Sequence, residues 1–219
     1  MSAGDGHGPV VLALHSSGEA LGLGLQPLRH GAERQLAHHP LGRALSNGLL
    51  SCLEALLPAV HWPRIARLAV ATGPGGFTST RLTVVLARTL AQQLKVPLHG
   101  PSSFLLVARR LLVGGGLEVA EATAGFWVVQ ELPRRGLVAG LYGLEGGAMV
   151  ERLVPRLVAD HSALETLAPA ATPVHSGAVV LPDDVDQLLE WALEAEAAGL
   201  PGPWGPVLPL YPTSPVEVV

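Results

Sequence analysis

The 219 residues are 48% hydrophobic and only 15% charged, a composition too apolar for intrinsic disorder and a length sufficient for one large packed unit or two small ones. No apolar run reaches about 18 residues, so the pattern excludes a membrane-spanning helix. The lone Cys52 excludes an internal disulfide and fits a reducing, cytoplasmic setting, and a net charge of −4 lacks the basic surface of a chain that grips RNA phosphates by itself.

Met1 to Pro9 is Gly-rich and polar, lacks the basic and apolar regions of a secretory leader, and reads as a flexible start. Val10 to Leu14 is rich in strand formers, His15 to Gly18 is a turn, and Leu21 to Leu25 alternates like the return strand of a hairpin. A third strand is expected over Ala32 to Leu36. Leu45, Leu49, Leu53 and Leu56 recur at helical spacing and predict a helix over Leu41–Leu57, ended by Pro58. Trp62 and Pro63 fall in a loop. Leu68 to Thr72 is the next strand, followed by a glycine-rich turn and a helix to about Leu94 with Thr78 or Ser79 as its N-cap. Val96 to His99 predicts a strand, so this stretch forms a parallel crossover unit. Pro101 to Ser103 opens a helix ending near Val113, and Gly114 to Gly116 reads as a flexible linker. Beyond it, Phe126 to Val129, Gly136 to Leu141 and Met149 to Val154 predict three strands, with Gly140, Gly143, Gly146 and Gly147 in the turns. Asp160 to Leu167 and Asp183 to Ala198 predict helices, and the Pro-rich tail from Gly199 to Pro215 is expected to wrap over the surface.

The turn Gly73, Pro74, Gly75, Gly76, Phe77 and Thr78 carries the strongest signal. Glycines between a strand and a helix expose backbone N–H groups at a helix N-terminus, which attracts anions. The competing reading is a tight corner with Phe77 plugged into the core. It is no phosphate-binding lysine motif, because the single lysine is Lys95. No aspartate occurs between Asp5 and Asp160, so a carboxylate that would position Mg²⁺ near the first turns is missing, and His15 stands there instead. The nine histidines show no metal-binding spacing, and no serine sits in a nucleophile elbow.

With these motifs in view, the chain resembles the TsaB family. The segment Val11 to Ser17 is similar to the family's opening strand, and Ile65 to Leu82 resembles its Gly-x-Gly-Pro-Gly-Ser-Phe-Thr-Gly-x-Arg stretch. The match extends over about residues 10 to 105, with Gly76 in place of serine, Ser79 in place of glycine and His15 in place of aspartate. The resemblance implies an α/β fold of two actin-like domains, divided here as residues 1–100 and 101–219. It implies a non-catalytic subunit that holds no cofactor or metal and assists a TsaD-type enzyme, joined by a TsaE-type ATPase, in transferring threonylcarbamoyl to adenosine of tRNAs reading ANN codons. The tRNA is then met only through the complex, and a homodimer forms when the enzyme is absent.

That pairing would run through the helices at 41–57 and 79–94. The expected partner surface is Leu45, Leu49, Leu53, Leu56, Thr83, Ala87 and Ala91, with Arg81 and Arg88 adding polar contacts. The alternative is a stand-alone small actin-like kinase or acyl-transferring ATPase, which needs a carboxylate–Mg²⁺ site.

Overall fold

A computed structural model describes residues 8–169 and 171–212. Most of the expected flexible start, and the end of the Pro-rich tail, lie outside them. β1 (Val10–His15), β2 (Leu21–Pro27) and β3 (Gln35–His39) form a meander, followed by α1 (Leu45–Leu56), β4 (Ile65–Val70), α2 (Phe77–Leu94), β5 (Leu98–His99) and α3 (Ser103–Val113). After α4 (Val119–Ala124) the order repeats as a meander of β6 (Phe126–Leu132), β7 (Gly136–Glu145) and β8 (Ala148–Val158). α5 (His161–Glu165), β9 (Val174–Ser176) and α6 (Asp183–Ala197) then follow. The first sheet has the order β3-β2-β1-β4-β5 and the second β8-β7-β6-β9. In each, the first strand pairs antiparallel with its hairpin partner and parallel with the strand that returns after a helix. The same topology therefore occurs twice without a visible sequence repeat.

Period-two alternation fixes the layers. Val10, Leu12 and Leu14 of β1 face a core that also holds Leu49 and Leu53 of α1 and Val84 and Ala87 of α2. Val11 and Ala13 face the opposite layer, where Ala69, Ala71, Val185 and Leu188 pack, so α6 covers the back of the first sheet. α3 meanwhile keeps Leu106 in the layer behind the first sheet and packs its other residues against Phe126, Val128 and Tyr142 of the second. Each unit thus lends its last helix to the other. The ion pairs of Arg110 with Asp184, Arg109 with Glu194, and Arg34 with Asp186 and Glu190 tie α6 in place.

Several local expectations are corrected. The third strand starts three residues later than expected. The helix forecast from Leu41 begins as a 3-10 turn over Gly42–Ala44, and Trp62 and Pro63 lie in another over Ala59–Arg64. The N-cap of α2 is Gly76, without a side-chain hydrogen bond, and Ser79 Oγ instead donates back to Gly76 O at 3.1 Å. Gly114–Gly116 is not a free linker: Gly114 N and Gly116 N donate to Arg110 O and Leu111 O and close the end of α3. Gly140 and Gly143 lie inside β7. A Cβ on Gly140 would stand 2.8 Å from the Tyr142 hydroxyl, and one on Gly143 would stand 2.3 Å from the Arg152 guanidinium carbon. These two glycines make room for side chains rather than for turns.

Candidate functional site

Three turns meet at the carboxyl ends of β1, β4 and β5, where open α/β sheets hold ligands. The glycine-rich turn after β4 lies against the turn after β1: Gly76 N donates to Ser17 O at 3.2 Å. Ser16 Oγ donates to Ser79 O at 3.0 Å and lies 2.6 Å from Thr83 Oγ1. From the third turn, Ser103 N donates to Gly73 O at 2.7 Å and Ser103 Oγ to Pro74 O at 2.6 Å. Gly73 takes φ +105°, a backbone state that side chains disfavour. Ser102 caps α3 through Leu105 N, and its Oγ also donates to Glu151 of β8 at 2.5 Å. Tyr142 OH donates to the same carboxylate at 2.9 Å, so the second sheet is bolted to the turn region.

Gly75 is required by close approach. A Cβ there would stand 2.2 Å from Ser17 O and 2.5 Å from Ser17 Cα, both backbone atoms. At Gly76 the nearest obstacle is Ser79 Oγ at 2.6 Å, the end of a side chain that can rotate. Gly75→Ala is therefore expected to cost about 2–3 kcal/mol, in the range of overpacked sites. Gly76→Ala should cost under about 1 kcal/mol. Thermal melts of the two variants check this, and equal melting temperatures would contradict the close approach.

His15 is buried at the end of β1. Its Nδ1 accepts from Ser17 N at 3.3 Å, while Nε2 has no partner. Burial lowers its pKa to about 3, so the ring is neutral near pH 7. A neutral imidazole in this position holds a turn together and supplies no charge for a metal–phosphate complex. Phe77 is not the core plug of the simpler reading, since it is 43% exposed and lines an open cleft of about 510 Å³ with Glu19, Arg43, Thr78 and Ser79. The first N–H groups of α2 stand at that cleft without a capping side chain. Among the described residues no group of three or more His, Cys, Asp or Glu converges.

The expected partner stripe is placed on the wrong side of its helices. Leu45, Leu49, Leu53, Thr83, Ala87 and Ala91 are buried in the chain's own core, and Leu56 is half-buried against it. The small residues let α2 approach β4, and the leucines of α1 fill the adjoining space. Of that set, Arg81 is exposed and Arg88 half-exposed. The outward positions instead include Leu50 and Val85, each 53% exposed, among polar residues such as Ser51, Glu54 and Thr89, with Cys52, Leu82 and Leu86 partly buried. Their spacing off the buried stripe was the available signal, but two apolar stripes on one helix leave the choice of face open.

A twice-repeated meander-plus-crossover topology with exchanged last helices defines the actin-like class of α/β proteins. A family model described as TsaD: tRNA N6-adenosine threonylcarbamoyltransferase matches residues 39–117, which span α1, β4, α2 and α3. No curated protein matches the chain. Two solved structures from Pseudomonas aeruginosa are similar throughout. One is of an uncharacterized protein with similarity to peptidase YEAZ, with a TM-score of 0.70 and 19% identity, covering 94% of this chain and 100% of that one. The other is of YeaZ, with a TM-score of 0.67 and 20% identity, covering 93% and 99%. The chain therefore shares the α/β fold of these YeaZ structures, which is of the actin-like type, as the resemblance in its first half implies.

Proposed function

We propose that this chain is a non-catalytic, TsaB-type subunit that enables a separate TsaD-type enzyme to form threonylcarbamoyladenosine on tRNA. The observation that carries this reading is the outward face of the α1–α2 pair, where Leu50 and Val85 present apolar surface with Arg81 and Thr89 beside them. An exposed large apolar side chain on each of two helices that touch one another suits helix packing with a partner. The matched family segment supports the same partner: residues 39–117 resemble part of the enzyme family itself, and two proteins that share a helix pair can pair quasi-symmetrically, face against like face. The same geometry suits a homodimer when the enzyme is absent. A TsaE-type ATPase completes the complex, tRNA is reached through the enzyme, and the setting is cytoplasmic. Among the described residues no helix is long and apolar enough to cross a membrane.

The non-catalytic part of the reading is supported by the site chemistry. His15 occupies the turn where a phosphotransferase wants a carboxylate, Glu19 is the carboxylate at the cleft, and Glu151 is engaged by Ser102 and Tyr142. No cofactor is assigned to this subunit.

The test is threonylcarbamoyladenosine formed on tRNA by the matching TsaD- and TsaE-type proteins, with and without this chain. Modification should require it, while the isolated chain turns over no ATP. A Leu50→Asp, Val85→Asp double variant should melt like the parent and weaken pairing by about 100-fold, roughly 2.7 kcal/mol. Full modification without the chain, or ATP turnover by the chain alone, would overturn the reading.

A further inference from the structure

The segment after α6 follows a defined path across the site. Leu98 N donates to Gly202 O at 2.9 Å, so the tail first runs along the outer edge of β5. Val207 is buried and packs where Gly100 leaves space: a Cβ on Gly100 would lie 2.6 Å from its Cγ1. The chain then crosses the carboxyl ends of β5 and β4, and Leu210 N donates to Thr72 O at 2.7 Å. Leu210 O comes so close to Gly73 that a Cβ there would be 3.0 Å away. Finally the ring of Tyr211 stacks on Phe77, the first residue of α2, with centroids 4.8 Å apart.

The carbonyls of the turn are thus gripped from two directions. Ser103 holds Gly73 O and Pro74 O from α3, and Leu210 holds Thr72 O from the tail. The two grips differ in strength. Ser103 belongs to a helix that is buried on both sides, whereas residues 207–211 offer the turn one backbone bond, one small buried side chain and one half-exposed ring pair. Segments with so few buried contacts open well before the whole domain does.

We propose that residues 207–211 are a strap that latches the glycine-rich turn shut, and that this turn and the first turn of α2 rearrange only after the strap has lifted. A ligand entering the crevice at the carboxyl ends of β4 and β5 has to displace the strap first. The latch acts within a single chain, so it holds whether or not the pairing reading above is right.

Amide hydrogen exchange on the full chain decides it. Gly76 N and Thr80 N, bonded to Ser17 O and Gly76 O, report on the turn and the start of α2. Leu210→Pro removes the donor to Thr72 O, and Tyr211→Ala removes the ring contact without touching the backbone bond. Each should speed exchange at Gly76 and Thr80 by about tenfold or more, while amides of β1 and the middle of β4 stay at parental rates. Leu208→Ala, an exposed position in the same segment, should change nothing. Parental rates at Gly76 and Thr80 in both strap variants would overturn the latch. An equal rise across all strands would also overturn it, because it would make the tail a general stabiliser.

Discussion

Ala87→Arg is expected to prevent the chain from folding. Ala87 has no exposed surface and sits in the layer where α2 meets the first sheet. A guanidinium at that position would be set among apolar side chains, and its volume separates the helix from the strand it packs against. Burying an unpaired charge in a filled core belongs to the most damaging class of substitution, above about 4 kcal/mol, which exceeds much of the stability of a typical domain. The milder Ala87→Val keeps the site apolar and should cost about 1–3 kcal/mol through overpacking alone. Circular dichroism melts and solubility separate these outcomes. A soluble Ala87→Arg variant with the parental melting temperature would mean that Ala87 faces solvent.

That expectation reverses what the helical pattern suggests by itself, and the reason is physical. The spacing of Leu45, Leu49 and Leu53 and of Thr83, Ala87 and Ala91 correctly marks two helices with a continuous stripe. Periodicity reports that a stripe exists and is silent on whether a sheet or another protein covers it. The β1–β2 hairpin, β4, the glycine-rich turn and α2 are legible because strand formers, glycines and helical spacing follow one another in a fixed order. β9 and α4, of three and six residues, are too short for either period to show. Gly140 and Gly143 misled because glycine marks a turn and a close approach alike; only Tyr142 and Arg152 folded above them separate the two uses. The strap is invisible in sequence for another reason. Leu210 contributes through its backbone, and Tyr211 finds its partner 134 residues away in the chain, at Phe77.

Stability should fall as the pH is lowered from about 6.5 towards 3, and His15 should account for much of the fall. Burial lowers the pKa of His15 from 6.5 to about 3. Between those values the unfolded chain binds a proton that the folded chain refuses, so the unfolded state gains and stability rises with pH across this window. The stabilising difference is fully present above about 6.5 and is lost on acidification, at roughly 1.4 kcal/mol per pH unit, or ~5 kcal/mol over the whole interval. His99 acts in the same direction. Its pKa is lowered to about 4 by burial and by the Arg67 guanidinium against it, with Glu196 opposing. Asp184 works the other way: burial raises its pKa, so near and above its ordinary range its protonation favours the folded state, with the Val180 N–H and Arg110 opposing. His15→Asn isolates the first contribution, because an amide oxygen can accept the Ser17 N–H that Nδ1 now takes, yet nothing there titrates. Denaturant melts at half-unit steps from pH 7 to 4.5 should show a steep loss in the parent and a slope shallower by about 1.4 kcal/mol per unit in the variant. Parallel slopes would mean that His15 is already protonated in the folded chain, and a charged imidazole beside the glycine-rich turn would reopen the question of what that turn binds.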